Sequence, residues 1–160
     1  MVVLKEQGSY QVALSDGLQT RISVSGIARA SEAVMCESVE APGSSYEFSG
    51  KISRLLNISA RPVRMDSQCK YAVLARGDTS IYLRPPPRKD YKENIWDHAA
   101  GCIIVREAGG TVTDSSGKPL DFSVGKKLHE NKGVLATNGV IHEAVLQAVK
   151  KTVPQKKHTD

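Results

Sequence analysis

Aromatic residues are sparse, 5% of 160 residues with a single tryptophan. Surfaces that stack unpaired bases need several such rings in series, so a single-stranded nucleic-acid platform is excluded. Cysteine is scarce too. Cys36, Cys69 and Cys102 make an odd set with no C-x-x-C spacing and no histidine cluster, which excludes a disulfide framework and a structural zinc site and fits reducing surroundings. Long apolar runs are missing: none approaches the ~20 residues of a membrane helix, and Val2-Val3-Leu4 is too short for a signal peptide. No internal repeat or low-complexity segment is visible. These absences lead to the expectation of a soluble intracellular, cytoplasmic protein that engages neither membrane nor nucleic acid.

What is present, 40% hydrophobic and 24% charged residues, suits one soluble domain or half of a larger one. The formal charge is +5, and a net +3 of it falls in residues 150–160, where Lys150, Lys151, Lys156 and Lys157 face Asp160 alone. A surplus placed there reads as a solvated tail, because duplex binding needs a basic stripe fixed on a folded surface.

Alternating, β-branched patterning predicts strands at Tyr10–Leu14, Arg21–Val24 and Ala33–Cys36, with a turn at Ser15-Asp16-Gly17. Pro42-Gly43-Ser44-Ser45 reads as a loop before a short amphipathic helix carrying Phe48, Ile52, Leu55 and Leu56. Pro62–Met65 is extended, and Asp66-Ser67 offers caps for a helix from about Gln68 to Gly77. Ser80–Arg84 alternates like a strand closed off by Pro85, Pro86 and Pro87, and Arg88–Asn94 reads as polar loop. The clearest helix opens at Asp97 and closes at Gly109-Gly110, with Ala100, Ile104 and Ala108 on one stripe and Ala99 and Ile103 beside it. Strands are expected at Thr111–Thr113 and Val134–Thr137. A last helix should bury Ile141, Ala144, Val145, Ala148 and Val149 until Pro154 stops it. The alternation of strand and helix in the second half predicts an α/β layer with a parallel or mixed sheet flanked by helices.

Three polar groups stand at element ends, where α/β proteins gather ligands. Ser67 and Lys70 flank a helix start that could take phosphate, although from spacing alone Asp66 or Ser67 reads more readily as a simple cap and Lys70 as a solvated side chain, since caps far outnumber phosphate sites. Arg84 at a strand end could fork onto a phosphate or simply reach solvent. Asp97 could bind a divalent cation completed by substrate phosphate, or cap its helix with Trp96 as an apolar anchor. Asp114 and Asp121 read as caps or Asx turns. His98, His129, His142 and His158 show no ligand pairing, and His98 reads as packing or surface.

Trp96-Asp97-His98-Ala99-Ala100-Gly101, continuing through Arg106-Glu107-Ala108-Gly109-Gly110, resembles the C-terminal signature of the inositol monophosphatase superfamily of magnesium-dependent, lithium-sensitive phosphatases. Asp66-Ser67-Gln68-Cys69-Lys70-Tyr71, Ile81-Tyr82-Leu83-Arg84 and Pro119-Leu120-Asp121-Phe122 are similar to the 3'(2'),5'-bisphosphate nucleotidases of that superfamily, whose plant members are also described as inositol polyphosphate 1-phosphatases. The resemblance runs from about Glu32 onward and implies the C-terminal half of a layered α/β sandwich. Residues 1–31 would be a β-rich remnant of the preceding domain, 32–152 the phosphatase-like domain and 153–160 a flexible basic tail. It further implies that Ser67, Lys70, Arg84 and Asp97 contact a small phosphorylated substrate and that Asp97 also ligates Mg2+. The implied reaction takes adenosine 3',5'-bisphosphate to AMP and phosphate, with inositol polyphosphate 1-phosphates as further substrates.

Two departures from the family pattern stand out. Gly43 and Tyr46 occupy positions around the Ser-Ser pair where the family has histidines. Neither the Gly-Glu-Glu segment nor the Asp-Pro-x-Asp-Gly-Thr-like segment that supplies most metal ligands occurs in the sequence. The expectation is a truncated chain with little activity alone, the alternative being a non-catalytic phosphate-binding remnant. Its former domain interface would leave an apolar face open to self-association.

Overall fold

The computed structural model describes residues 1–40, 42–86 and 90–152. The chain opens with a small antiparallel sheet of β1 (Val2–Leu4), β2 (Gly8–Val12) and β3 (Gln19–Ile22). The predicted turn at Ser15–Gly17 joins the last two, with the Leu18 amide donating to Asp16 Oδ1 at 2.9 Å. This sheet rests on a helix of the main layer: Glu107 accepts the amides of Glu6 and Gly8 (2.8 and 3.0 Å), and the Ser9 hydroxyl donates to the Ile104 carbonyl.

The main layer contains β4 (Met35–Glu37), α1 (Gly43–Leu55), β5 (Val63–Arg64), α2 (Cys69–Ala75), β6 (Ile81–Arg84), α3 (Ala99–Glu107), β7 (Thr111–Thr113), β8 (Val134–Thr137) and α4 (His142–Thr152). Its sheet order is β5-β4-β6-β8-β7. The first three strands run parallel, and β8 is antiparallel to both β6 and β7. The expected mixed sheet flanked by helices is therefore present.

Period-two alternation explains the layers. Cys36, Tyr82, Val134 and Ala136 face a core filled by Tyr71 and Leu74 of α2 and Cys102 and Val105 of α3. Met35, Ile81, Leu83 and Leu135 point the other way, into a core closed by Ile52 of α1 and Val145, Ala148 and Val149 of α4. Each fully buried side chain of this kind contributes roughly 1.5–3 kcal/mol, so the central strands β6 and β8, apolar on both faces, hold the assembly together.

Several expectations need correction. Gly43–Ser45 forms the first turn of α1, and Pro42, whose φ of −53° suits the entry, takes the cap position. The long helix starts at Ala99, two residues later than expected, because Ile95–Asp97 is a separate 3-10 turn closed by the His98 amide on the Ile95 carbonyl. The phase shifts with it: Ala100 is exposed, and Gly101, Cys102, Val105 and Ala108 form the buried stripe. In α4, Leu146 is buried where the pattern predicts Ala144, and Ala144 is exposed. Trp96 anchors nothing, being 62% exposed. Pro87 and Arg88, and the stop at Pro154 with the basic tail 153–160 including His158, lie outside the described residues. Among the described residues no helix is long and apolar enough to cross a membrane.

Candidate functional site

Parallel strands release their chains at one edge, and here β4, β5 and β6 end together above the sheet. Ser38 and Glu40 follow β4, Asp66 and Ser67 follow β5, and Arg84 ends β6. Between them and the 3-10 turn before α3 lies a cleft of about 400 Å3 lined by Ser67, Lys70, Arg84 and Asp97, with Asp66 and Trp96 on its wall. All four residues expected at the site line this cleft. A second cleft of about 280 Å3 adjoins it, sharing Ser38, Glu40, Tyr82 and Arg84 and extending to Tyr46.

Neither Asp66 nor Ser67 caps α2 in the manner expected. Asp66 Oδ1 instead accepts the Val39 amide at 3.1 Å, tying the loop after β4 to the one after β5. Ser67 sits in the left-handed region at φ +62°, where a side chain is disfavoured, and its hydroxyl lies 3.4 Å from the Cys69 amide. Such strain at a cleft residue is a recurrent mark of functional positions.

Lys70 is not the solvated side chain that the simpler reading supposed; it is 4% exposed. Its Nζ lies 3.5 Å from the Met65 carbonyl and 5.6 Å from the Tyr82 ring centroid, and no ion pair to it occurs among the described residues. Burial pushes its pKa down, partly offset by the charge of Asp66. Arg84 is half-buried, and its Nε donates to Glu93 at 2.9 Å. Burial works against its charge, but the Glu93 carboxylate outweighs that and raises its pKa. Asp97 Oδ2 accepts from Asn94 Nδ2 at 3.2 Å, and the helix that follows has no side-chain cap.

Sequence reasoning missed the support beneath these groups. Glu93, placed in a polar loop, is 2% exposed. Its Oε2 accepts from Arg84 and from His98 Nε2 (3.1 Å), and His98 Nδ1 meets the Tyr71 hydroxyl at 2.7 Å. Burial pushes the Glu93 pKa up, yet the bonds from His98 and Arg84 prevail and hold it below the usual carboxylate value. No spacing rule joins Tyr71, Arg84, Glu93 and His98, so the sequence carried no signal for the set. Tyr46 places its hydroxyl by the carbonyls of Ser38 and Val39 (3.0 and 2.6 Å), with Arg64 4.7 Å from its ring centroid. It ties the loop rather than extending a free donor. Asp114 and Asp121 make the turns expected of them, on Ser116 and Lys118 and on Ser123.

Magnesium needs several hard oxygen ligands. Among the described residues no group of three or more His, Cys, Asp or Glu side chains could hold a metal ion. The donor set among these residues does not make a magnesium site.

A mixed sheet between helix pairs, with a polar cleft at the ends of its parallel strands, defines a layered α/β protein. The chain belongs to the inositol monophosphatase family, whose model matches residues 5–153. It is 47% identical over 153 residues to a 3'(2'),5'-bisphosphate nucleotidase of Emericella nidulans, covering 94% of this chain and 44% of that protein. Identity to the 3'(2'),5'-bisphosphate nucleotidase of Oryza sativa is 48% over 148 residues, covering 92% and 41%. Among solved structures it is similar to Thermotoga maritima IMPase, 30% identical with a TM-score of 0.62 over 84% of this chain and 46% of that one. An inositol monophosphatase from Anabaena matches at 25% identity and a TM-score of 0.63, over 89% and 54%. The chain spans less than half the length of these two curated relatives.

Proposed function

We propose that this chain is the substrate-holding half of a phosphatase of the 3'(2'),5'-bisphosphate nucleotidase type. Its substrate would be adenosine 3',5'-bisphosphate, cleaved by water to AMP and phosphate, with inositol polyphosphate 1-phosphates as further substrates. The reading is carried by the convergence of Ser67, Lys70, Arg84 and Asp97 on one cleft. Named relatives of the same family support it.

In this scheme the buried Lys70 ammonium, lacking a carboxylate partner among the described residues, takes a phosphate oxygen and gains the counter-charge that its surroundings withhold. Arg84 presents its terminal amino groups to the other phosphate while Glu93 holds its Nε. The Ser67 hydroxyl adds a neutral donor. Binding energy from the phosphate that is not cleaved orients the ester that is. Asp97 is the carboxylate we assign as a Mg2+ ligand. No cluster of further ligands accompanies it among the described residues, and low turnover is expected of the 160-residue chain. The lack of a clustered set of ligands among the described residues favours a second reading, a phosphate-binding module without catalysis.

The lone tryptophan lies on the cleft wall and reports directly on occupancy. Titration with adenosine 3',5'-bisphosphate, with and without magnesium, should change Trp96 fluorescence saturably. Parallel phosphate-release assays separate the two readings: magnesium-dependent release supports the phosphatase, and metal-independent binding without release supports the module. No saturable change under either condition would refute both.

A further inference from the structure

A buried carboxylate is costly, and an apolar side chain of similar volume usually packs as well or better. Glu93 is nevertheless enclosed by the fold, and its backbone is pinned too: the Leu128 amide donates to its carbonyl at 2.9 Å and the Ile95 amide to that of Lys126. What this carboxylate touches explains its presence. One oxygen, Oε2, takes Arg84 Nε at 2.9 Å and His98 Nε2 at 3.1 Å. A carboxylate only accepts, so Nε2 carries a proton and Nδ1 is free to accept from the Tyr71 hydroxyl. The result is a continuous buried chain, Tyr71 to His98 to Glu93 to Arg84, linking α2, the start of α3 and the end of β6.

Each end of this chain lies on the cleft. Tyr71 and Arg84 both line it, and His98 follows Asp97, which lines it too. The packing leaves little slack, because a methyl group added at Gly101 of α3 would lie 2.2 Å from the Tyr71 ring.

We propose that Glu93 and His98 are positioning residues, which fix the Arg84 guanidinium by its Nε edge so that its terminal amino groups face the cleft and a substrate phosphate. This rests on the reading of Arg84 as a phosphate ligand. Glu93 does not touch substrate; it acts through Arg84. A guanidinium on a long stem loses rotamer freedom when it grips an anion, and one already held by its Nε has surrendered most of it. Had Glu93 only a packing role, its effect on binding would not depend on Arg84.

The test is a double-mutant cycle in the 160-residue chain with adenosine 3',5'-bisphosphate as the probe. Glu93→Gln should weaken binding about tenfold, the scale of one hydrogen bond to a charged group. In an Arg84→Ala background it should add almost nothing. Additive losses would overturn the proposal. A second readout needs no ligand: the Arg84 Nε–H resonance in 15N spectra, identified by its loss in Arg84→Lys. It should exchange slowly in the parent and faster in Glu93→Gln, whose neutral amide oxygen accepts more weakly than the carboxylate; an unchanged resonance would overturn the proposal. If the parent chain binds no bisphosphate, the functional reading fails, while the resonance still decides the positioning role. If Glu93→Gln does not fold, Tyr71→Phe removes only the far hydroxyl and takes the same readouts. Because Tyr71 itself lines the cleft, the Arg84 resonance is the deciding readout in that variant: a shift supports the relay, and an unshifted resonance overturns it.

Discussion

Replacing Lys70 by methionine should make the protein more stable and a poorer ligand binder. Methionine matches the lysine stem in length and carries no charge. Lys70 is 4% exposed, and its ammonium has one long hydrogen bond to the Met65 carbonyl, the Tyr82 ring nearby and no ion pair among the described residues. Burying a polar group so sparsely paired costs about 1–3 kcal/mol on mutational scales. The attraction between ammonium and ring, which methionine cannot supply, reaches about 2 kcal/mol in a desolvated pair at close range; at 5.6 Å, near its limit of about 6 Å, it falls to about 0.5–1 kcal/mol. The balance is a gain of about 1 kcal/mol, or roughly 2–4 °C in Tm for a chain of this size. Binding moves oppositely, because a hydrogen bond from ammonium to phosphate contributes about 1.5–3 kcal/mol, roughly a 10- to 100-fold change in Kd. Burial lowers the folded-state pKa of Lys70 below its ordinary 10.5. Between that lowered value and 10.5 the unfolded chain binds more protons, so parent stability rises with pH and the advantage of Lys70→Met shrinks. Thermal melts by circular dichroism at several pH values, with calorimetric titration of adenosine 3',5'-bisphosphate, measure both quantities. A variant that melts lower than the parent would show that Lys70 is not a destabilising charge, and one that keeps parental affinity would show that it is not a ligand.

Gly101→Ala should destabilise by about 1–3 kcal/mol, since its methyl group meets the Tyr71 ring and Gln68 with no room to yield; an unchanged urea midpoint contradicts this close packing. Glu93 titrates below its ordinary 4.5 in the folded protein. The stability it contributes is therefore fully present above 4.5 and lost as pH falls through the lowered value. Acid melts of the parent should steepen in that window relative to Glu93→Gln, and parallel curves would count against the buried pair. Alkylation followed by mass spectrometry should modify exposed Cys69 in the native state. Cys36, whose thiol burial pushes up to about 11, and buried Cys102 should react only on unfolding. Equal labelling of all three would contradict the core assignment.

The layers were legible because their signals are local. Ile81 to Leu83 and Val134 to Ala136 are apolar at consecutive positions, as strands covered on both faces must be. That Ser67, Lys70, Arg84 and Asp97 stand at element ends was legible in the sequence, and the fold brings those ends to one cleft. Boundaries failed where a short-range competitor intervened: the 3-10 turn at Ile95–Asp97 delayed α3 and rotated its buried face from Ala100 to Gly101 and Cys102. Glu93 was invisible for a different reason. In a run of charged residues only the tertiary approach of Arg84 and His98 makes one of them a core residue, and sequence separation hides that approach.

Whether the two basic side chains share one bisphosphate is decided by a crystal structure of the chain grown with adenosine 3',5'-bisphosphate. One phosphate should lie within hydrogen-bond distance of Lys70 Nζ and the other on the terminal amino groups of Arg84, with Ser67 and Asp97 on the same cleft wall and the Glu93 bond to Arg84 retained. A ligand seated elsewhere, with Lys70 and Arg84 left pointing away from it, would contradict the proposed function.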